Sequence, residues 1–207
     1  MAGKEISELY LHELLRTFGM TLIGVFIPIY ILSQGFSLLH AGLFIILSGF
    51  TGILLSYPLA RGVARLGFRH SIAASYLLVI PGILLIRSLP LSLSLIVASS
   101  LLYNTGRVMH NVARNAEFAT DSHRKSRNRE SGQMLSIPNI ARVIAPLLGG
   151  TVFAVFGFTE LVGLSILILL LSLLPLLHTS DHTSDFDYSF RSLALEDHWR
   201  ALPLFTI

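Results

Sequence analysis

No cysteine occurs in the 207 residues, so disulfides, thiolate nucleophiles and thiolate metal sites are excluded. Charge is scarce as well. Asp, Glu, Lys and Arg make up 13% of the chain, against roughly 25% in a soluble domain. No glycine-rich phosphate loop, nucleophile elbow or zinc signature is present. The chain therefore reads as a non-enzyme, with no catalytic residue, no metal and no cofactor. His178 and His182 stand four apart beside Asp181 and Asp185, but the stretch is rich in Ser and Thr and helical spacing means little there.

What the chain has in quantity is apolar sequence, 53% of its residues, gathered in long blocks. A membrane-spanning helix needs ~20 consecutive, mostly apolar residues. Six blocks qualify, at about 11–33, 40–60, 71–87, 91–115, 131–156 and 160–178, with edges uncertain by several residues. Runs such as Leu164–Leu177 lack the alternation a transmembrane barrel needs. Backbone groups cannot be left unpaired in lipid, so helices are the remaining solution. The first block is too long for the core of a cleaved signal, and no small-x-small site closes it. The expected organisation is a six-helix bundle over 1–178, a polar linker over 179–200, and an apolar start of a truncated seventh span over 201–207.

The net charge is +3, and its placement is a topology signal. With the N-terminus inside, twelve of the 15 Lys and Arg residues fall at inner segments, while the outer loops hold only Arg87. Both termini are thus expected on the cytoplasmic side of a multi-pass protein of the cell membrane. The basic run from His123 to Arg129 is explained by topology and anionic lipid, and no nucleic acid partner is expected.

Two stretches carry a family resemblance. Pro58–His70, between spans two and three, resembles the major facilitator superfamily signature G-x-x-x-D-R-x-G-R-R: Arg65, Gly67 and Arg69 match, while Ala60 and Ala64 replace its glycine and aspartate. Arg127–Gly132 followed by Ile144–Gly150 resembles that family's arginine-bearing loop and its helix-five motif G-P-x-x-G-G. Pro146, Gly149 and Gly150 match, with Ala145 in the first position. The resemblance implies an all-α integral membrane fold, specifically the N-terminal six-helix half bundle with the start of a seventh helix. It implies secondary transport of a small solute by alternating access, with Arg65, Gly67 and Arg69 in a conformational latch. It also implies a second six-helix half, from the same longer chain or another copy, packed beside this one in the bilayer.

Charged residues at depth cost at least ~2.5 kcal/mol and often mark a solute path. Arg142 falls ~16 Å into the fifth span, with Asn139 one turn before it. On the fourth span Asn104, Arg107, Asn111 and Arg114 recur at helical spacing as one polar stripe. Thr17 and Thr21 share a face of the first span. One reading is a water-filled cavity between spans one, four and five. Its lining candidates are Arg142, Arg107, Asn104, Asn139, Asn111 and Thr21, and the arginines favour an anionic or zwitterionic solute. The other reading is structural, with arginines on backbone carbonyls, asparagines joining helices and threonines bonding their own helix.

Arg114 reads as a topology anchor. Glu13, Glu117 and Asp121 are placed at inner ends of spans, so no deep carboxylate and no proton relay is expected in this half. His110 is read as the one histidine within a span, without a carboxylate partner. Small residues predict packing seams at Gly42, Gly49, Gly52, Ser56 and Ala60, and at Ala141, Ala145 and Gly149. Pro28, Pro81, Pro146 and Pro175 predict bends in four spans. The rival functional reading is a truncated or repurposed, non-transporting membrane protein acting as a partner or regulator.

Overall fold

The computed structural model describes residues 2–88, 92–121 and 127–178. The linker and seventh-span start expected over 179–207 lie outside the described residues. No strand occurs among the described residues. Six spans are built from α1 (Ala2–Gly24) and α2 (Phe26–Ser33), α3 (Leu38–Leu66), α4 (Phe68–Arg87), α5 (Leu93–Asp121), α6 (Arg127–Phe156), and α7 (Phe158–Leu171) with a 3-10 turn at Leu174–His178.

The two broken spans break where proline chemistry requires it. Proline has no N–H to offer the carbonyl four residues earlier, and its ring crowds that carbonyl. The residue four before Pro28 is Gly24, where α1 ends; the residue four before Pro175 is Leu171, where α7 ends. Pro81 and Pro146 sit inside continuous helices instead. Membrane helices tolerate such prolines when neighbours or local adjustments satisfy the freed carbonyl. At Gly67 and Gly157 the chain turns from one span directly into the next, with φ of 88° and 99°. Their ψ values of 150° and −179° complete a conformation essentially reserved for glycine.

Several helices run past the apolar blocks that announce them. The first begins at Ala2, the second reaches Leu66 and the fourth continues to Asp121. Hydropathy registers only the apolar portion, while the helix continues through amphipathic ends. Five spans are apolar enough to cross a membrane on composition. The fourth, α5, falls outside that group because the stripe from Asn104 to Arg114 dilutes it.

Helix α4 lies along α5, α3 also packs on α5, and α1 packs against α6 and α7. Small residues set the closest approaches. A Cβ on Gly106 would lie 2.6 Å from the Ser75 carbonyl oxygen, and one on Gly149 would lie 2.5 Å from that of Leu22. Ala141, Ala145 and Gly149 are all buried, so the seam predicted on the fifth span is a packing seam. The seam predicted on the second span is not. A Cβ on Gly42, Gly49 or Gly52 would meet nothing within 4 Å, and Ser56 is exposed. That side of α3 faces away from the other described helices.

Burial is correspondingly uneven. In the first and third spans 50% of the most apolar stretch is buried, but only 17% in the second and fifth. Phe50, Ile53 and Leu54 of α3 and Val143 and Leu147 of α6 are exposed apolar side chains.

Candidate functional site

A cavity of about 590 Å³ opens between the first, second, fourth and fifth spans, within the usual size of small-molecule sites. Of the six candidates for the solute path, Arg142, Arg107, Asn104, Asn111 and Thr21 line it. Asn139 is not on its wall but accepts a hydrogen bond from Arg142 Nη1 at 2.8 Å. Thr17, Ser48 and Tyr103 complete much of the polar lining.

The stripe on α5 is internally braced. Asn104 is buried, and its Nδ2 donates to the Ser100 carbonyl at 2.8 Å and to Ser100 Oγ at 3.1 Å. That fixes Asn104 Oδ1, which accepts from Arg107 Nη1 at 3.3 Å. Arg107 Nη1 also lies 3.4 Å from Ser48 Oγ on α3. Its guanidinium sits 5.7 Å from the centre of the Tyr103 ring, within cation–π range. Ser100 Oγ donates to the Phe44 carbonyl at 3.0 Å, tying α5 to α3. None of these contacts neutralises the charge of Arg107.

At the N-terminal end of the cavity the structure corrects three expectations. Glu13 is not a surface carboxylate: it is 1% exposed. Its Oε1 accepts from His110 Nε2 and its Oε2 accepts from Arg114 Nη1 at 3.1 Å. His110 therefore has a carboxylate partner, and Arg114 lines the cavity as an ion-pair partner rather than anchoring at a surface. The physical reason is the length of α1. Its apolar span begins at Ser7, which puts Glu13 ~9 Å inside it, opposite the polar stripe of α5. Glu13 and Arg16 are three apart, and His110 and Arg114 four apart. Either spacing sets its two residues on one helix face, which is the signal that the sequence offers for this facing ladder.

Behind Glu13 stands His12, also fully buried, with its ring centre 5.3 Å from that of His110. His12 Nδ1 lies 2.6 Å from the Ser172 carbonyl oxygen. A carbonyl only accepts, so Nδ1 is the donor. Three residues beyond Ser172 stands Pro175, which has no N–H to offer that carbonyl, and in the 3-10 turn the Leu176 N–H bonds the Leu173 carbonyl at 3.1 Å. The Tyr76 hydroxyl meets Ser172 Oγ at 2.7 Å, so one residue joins α1, α4 and the end of α7.

The ligand atoms of His12, Glu13 and His110 lie within 4.8 Å of one another, a spacing some metal sites share. The charge argues against a cation there. Arg114 is paired with Glu13, and Arg16, 7% exposed, lines the same end of the cavity. Two guanidiniums against one carboxylate leave a positive excess that a divalent ion would increase.

The latch-loop residues separate. Arg65 is exposed, and Gly67 supplies the one-residue turn between α3 and α4. Arg69 turns inward, 7% exposed, and its Nε donates to Glu117 Oε1 at 2.8 Å. Glu117, expected at the inner end of the fourth span, is 3% exposed. In the helix-five motif Gly149 takes the close approach to α1. Gly150 has only an ordinary contact with Phe26, 3.6 Å from where a Cβ would lie.

The described protein is thus an all-α, multi-pass membrane bundle with a charged cavity across its middle. No curated protein matches the chain. The sequence profile of the Major Facilitator Superfamily matches residues 9–204, nearly the whole length, and the all-helical bundle is consistent with it. The chain belongs to the Major Facilitator Superfamily.

Proposed function

We propose that this protein is a secondary transporter that moves a small anionic or zwitterionic solute across the cell membrane by alternating access. The described bundle is its N-terminal half, with both termini cytoplasmic. The observation that carries the reading is the cavity with Arg107 and Arg142 on its wall and no acidic partner bonded to either among the described residues. Guanidiniums at this depth are expensive in a bilayer, and an anion in a hydrated cavity offsets that cost. Arg107, Arg142 and Asn104 are assigned to the solute path, with Asn111 and Thr21 beside them and Asn139 orienting Arg142.

A second half fits the open side. Helices α3 and α6 both contribute to the cavity, and both leave apolar side chains exposed. The face of α3 bearing Gly42, Gly49 and Gly52 has room for another helix to approach closely. The Arg69–Glu117 pair, at the end where α4 starts and α5 finishes, serves as the part of the latch that belongs to this half.

The test exploits the lack of cysteine in residues 1–207. A single Thr21→Cys thiol, in the full-length protein, is probed with a membrane-impermeant maleimide in right-side-out and inverted vesicles. Alternating access predicts labelling from both faces. Labelling from one face under every condition refutes transport by this route and favours a non-transporting partner protein.

A further inference from the structure

The cavity changes character along its length. Contacts between the spans fix the order of its wall residues. Glu13 of α1 meets Arg114 of α5, whereas a Cβ on Gly24, at the other end of α1, would lie 3.7 Å from the Tyr103 hydroxyl. On α3, Phe44 is level with Ser100 and Ser48 with Arg107. Past Glu13 the wall of the first span includes Arg16, Thr17 and Thr21, and beyond Thr21 it holds only Gly24, Val25 and Pro28. The wall of α3 changes in the same direction, from Ser48 to Ile45 and Phe44. One end of the cavity is charged and the other apolar, and the nine residues from Arg16 to Val25 separate them by ~13 Å of helix. Tyr103 marks the boundary, with its ring centre 5.7 Å from the Arg107 guanidinium and 6.0 Å from the Phe44 ring centre.

Arg16 is the group at the charged end whose presence the packing does not explain. It is 7% exposed and lines the cavity, yet its Nη2 is buried without a hydrogen-bond partner. Glu13 does not fill that role, because its Oε1 already accepts from His110 and its Oε2 from Arg114. A buried donor on a charged group that is left short of an acceptor is costly. The wall as a whole repeats the imbalance, with four arginines, Arg16, Arg107, Arg114 and Arg142, against the single carboxylate of Glu13.

We propose that Arg16 anchors the anionic group of the solute, and that the solute is an amphipathic organic anion. Its oxyanion head, a carboxylate or a phosphate, sits at Arg16, and its apolar body lies toward Val25, Pro28, Phe44 and Ile45. This deepens the transport reading above and rests on it for the solute's passage. A planar guanidinium presents paired N–H groups that match two oxygens of a carboxylate or phosphate, so the head supplies the acceptors that Arg16 lacks. The Glu13–Arg114 pair stays closed beneath it as the floor of the site. A small hydrophilic anion would leave the apolar end holding only water, and a neutral solute would leave Arg16 unpaired. The solute class that satisfies both ends carries its charge at one extremity.

The experiment reads occupancy of the cavity. The full-length protein with a single Thr21→Cys thiol, and the same protein with Arg16→Lys or Arg16→Gln added, are placed in lipid nanodiscs. The rate of maleimide labelling is measured against rising ligand concentration. Two probes carry head and body, 4-phenylbutyrate and benzyl phosphate. Acetate and inorganic phosphate carry the head alone, and 4-phenylbutanol carries the body alone. The head-and-body probes are expected to slow labelling at concentrations about tenfold or more below those of either part alone. Arg16→Gln is expected to raise the half-protecting concentration by about tenfold or more, as for a lost hydrogen bond to a charged group. Arg16→Lys keeps the charge but not the fork, and falls between.

The labelling rate without ligand separates binding from structure. It is expected to be unchanged in Arg16→Lys, so that weakened protection there belongs to the site. Protection by neither head-and-body probe, equal protection by 4-phenylbutanol, or half-protecting concentrations indifferent to both Arg16 variants overturns the proposal. A labelling rate altered in both variants together with lost protection makes Arg16 a structural residue and overturns its role as anchor. If Arg16→Gln fails to fold, Arg16→Lys decides. The sidedness of labelling in vesicles is a separate reading. Arg16-dependent protection with labelling from one face only supports the anion site and removes transport. Labelling from both faces without protection leaves transport standing and removes this solute class.

Discussion

Replacing Gly149 by alanine adds one methyl group at the tightest point between α1 and α6. The new Cβ would lie 2.5 Å from the Leu22 carbonyl oxygen and 2.8 Å from Phe26 Cε2. Ordinary carbon contacts are about 3.5–4.0 Å, so α6 must withdraw by roughly 1 Å or the Leu22 backbone must move. Backbone has little freedom to yield in the middle of a helix, and overpacking of this kind costs about 1–3 kcal/mol. The neighbouring Gly150 is the internal control. Its added Cβ would sit 3.6 Å from Phe26 Cζ, which is normal contact, so Gly150→Ala is neutral or gains up to about 1 kcal/mol of helix propensity. The assay is thermal unfolding of the detergent-purified protein, following loss of the monodisperse peak on size-exclusion chromatography. G149A is expected to unfold at a clearly lower temperature than wild type, and G150A at the same temperature or higher. Equal behaviour of the two variants would refute the claim that close approach, rather than a general need for glycine in the motif, sets the fifth span on the first.

Arg69→Ala breaks the buried Arg69–Glu117 pair and is expected to cost about 3–5 kcal/mol, whereas Arg65→Ala, at an exposed position, stays within about 0.5 kcal/mol; comparable melting temperatures for the two would contradict the inward placement of Arg69. Gly67→Ala forces a side chain into φ 88° and is expected to lose about 1–3 kcal/mol, read as thermal stability, with a neutral result meaning that the α3–α4 turn is relaxed differently. Arg142→Ala removes an exposed guanidinium that donates a hydrogen bond to Asn139. It is expected to abolish solute uptake by the full-length carrier while membrane insertion and melting temperature hold; lost stability with retained uptake would make Arg142 a structural residue.

The fold was legible because its main determinant is local. A run of apolar residues long enough to span lipid is visible without knowing what it touches, and the loop arginines order the spans. Even α5, too polar for a composition test, was recoverable because Asn104, Arg107, Asn111 and Arg114 repeat at helical spacing. The candidate site was legible only in part, for the opposite reason. Arg142 and Arg107 declare themselves by being charged within apolar sequence. Glu13 does not, since it stands near the polar edge of its block, and its burial depends on a helix that starts at Ala2 and on His110, 97 positions away. Likewise the seams at Gly42–Ala60 and Ala141–Gly149 look alike as letters. Only the arrangement of helices decides that one is packed within the bundle and the other is turned away from it.

The uncovered cavity wall also bears on the surrounding lipid. Arg107 and Arg142 are both exposed, and together they would cost roughly 5–7 kcal/mol if they met hydrocarbon at mid-depth, comparable with the whole stability margin of a folded domain. A bilayer meeting these two groups would relieve that cost by admitting water and lipid headgroups beside α5 and α6 and thinning there, so the wall with the two arginines is where lipid packing around the bundle would be most disturbed.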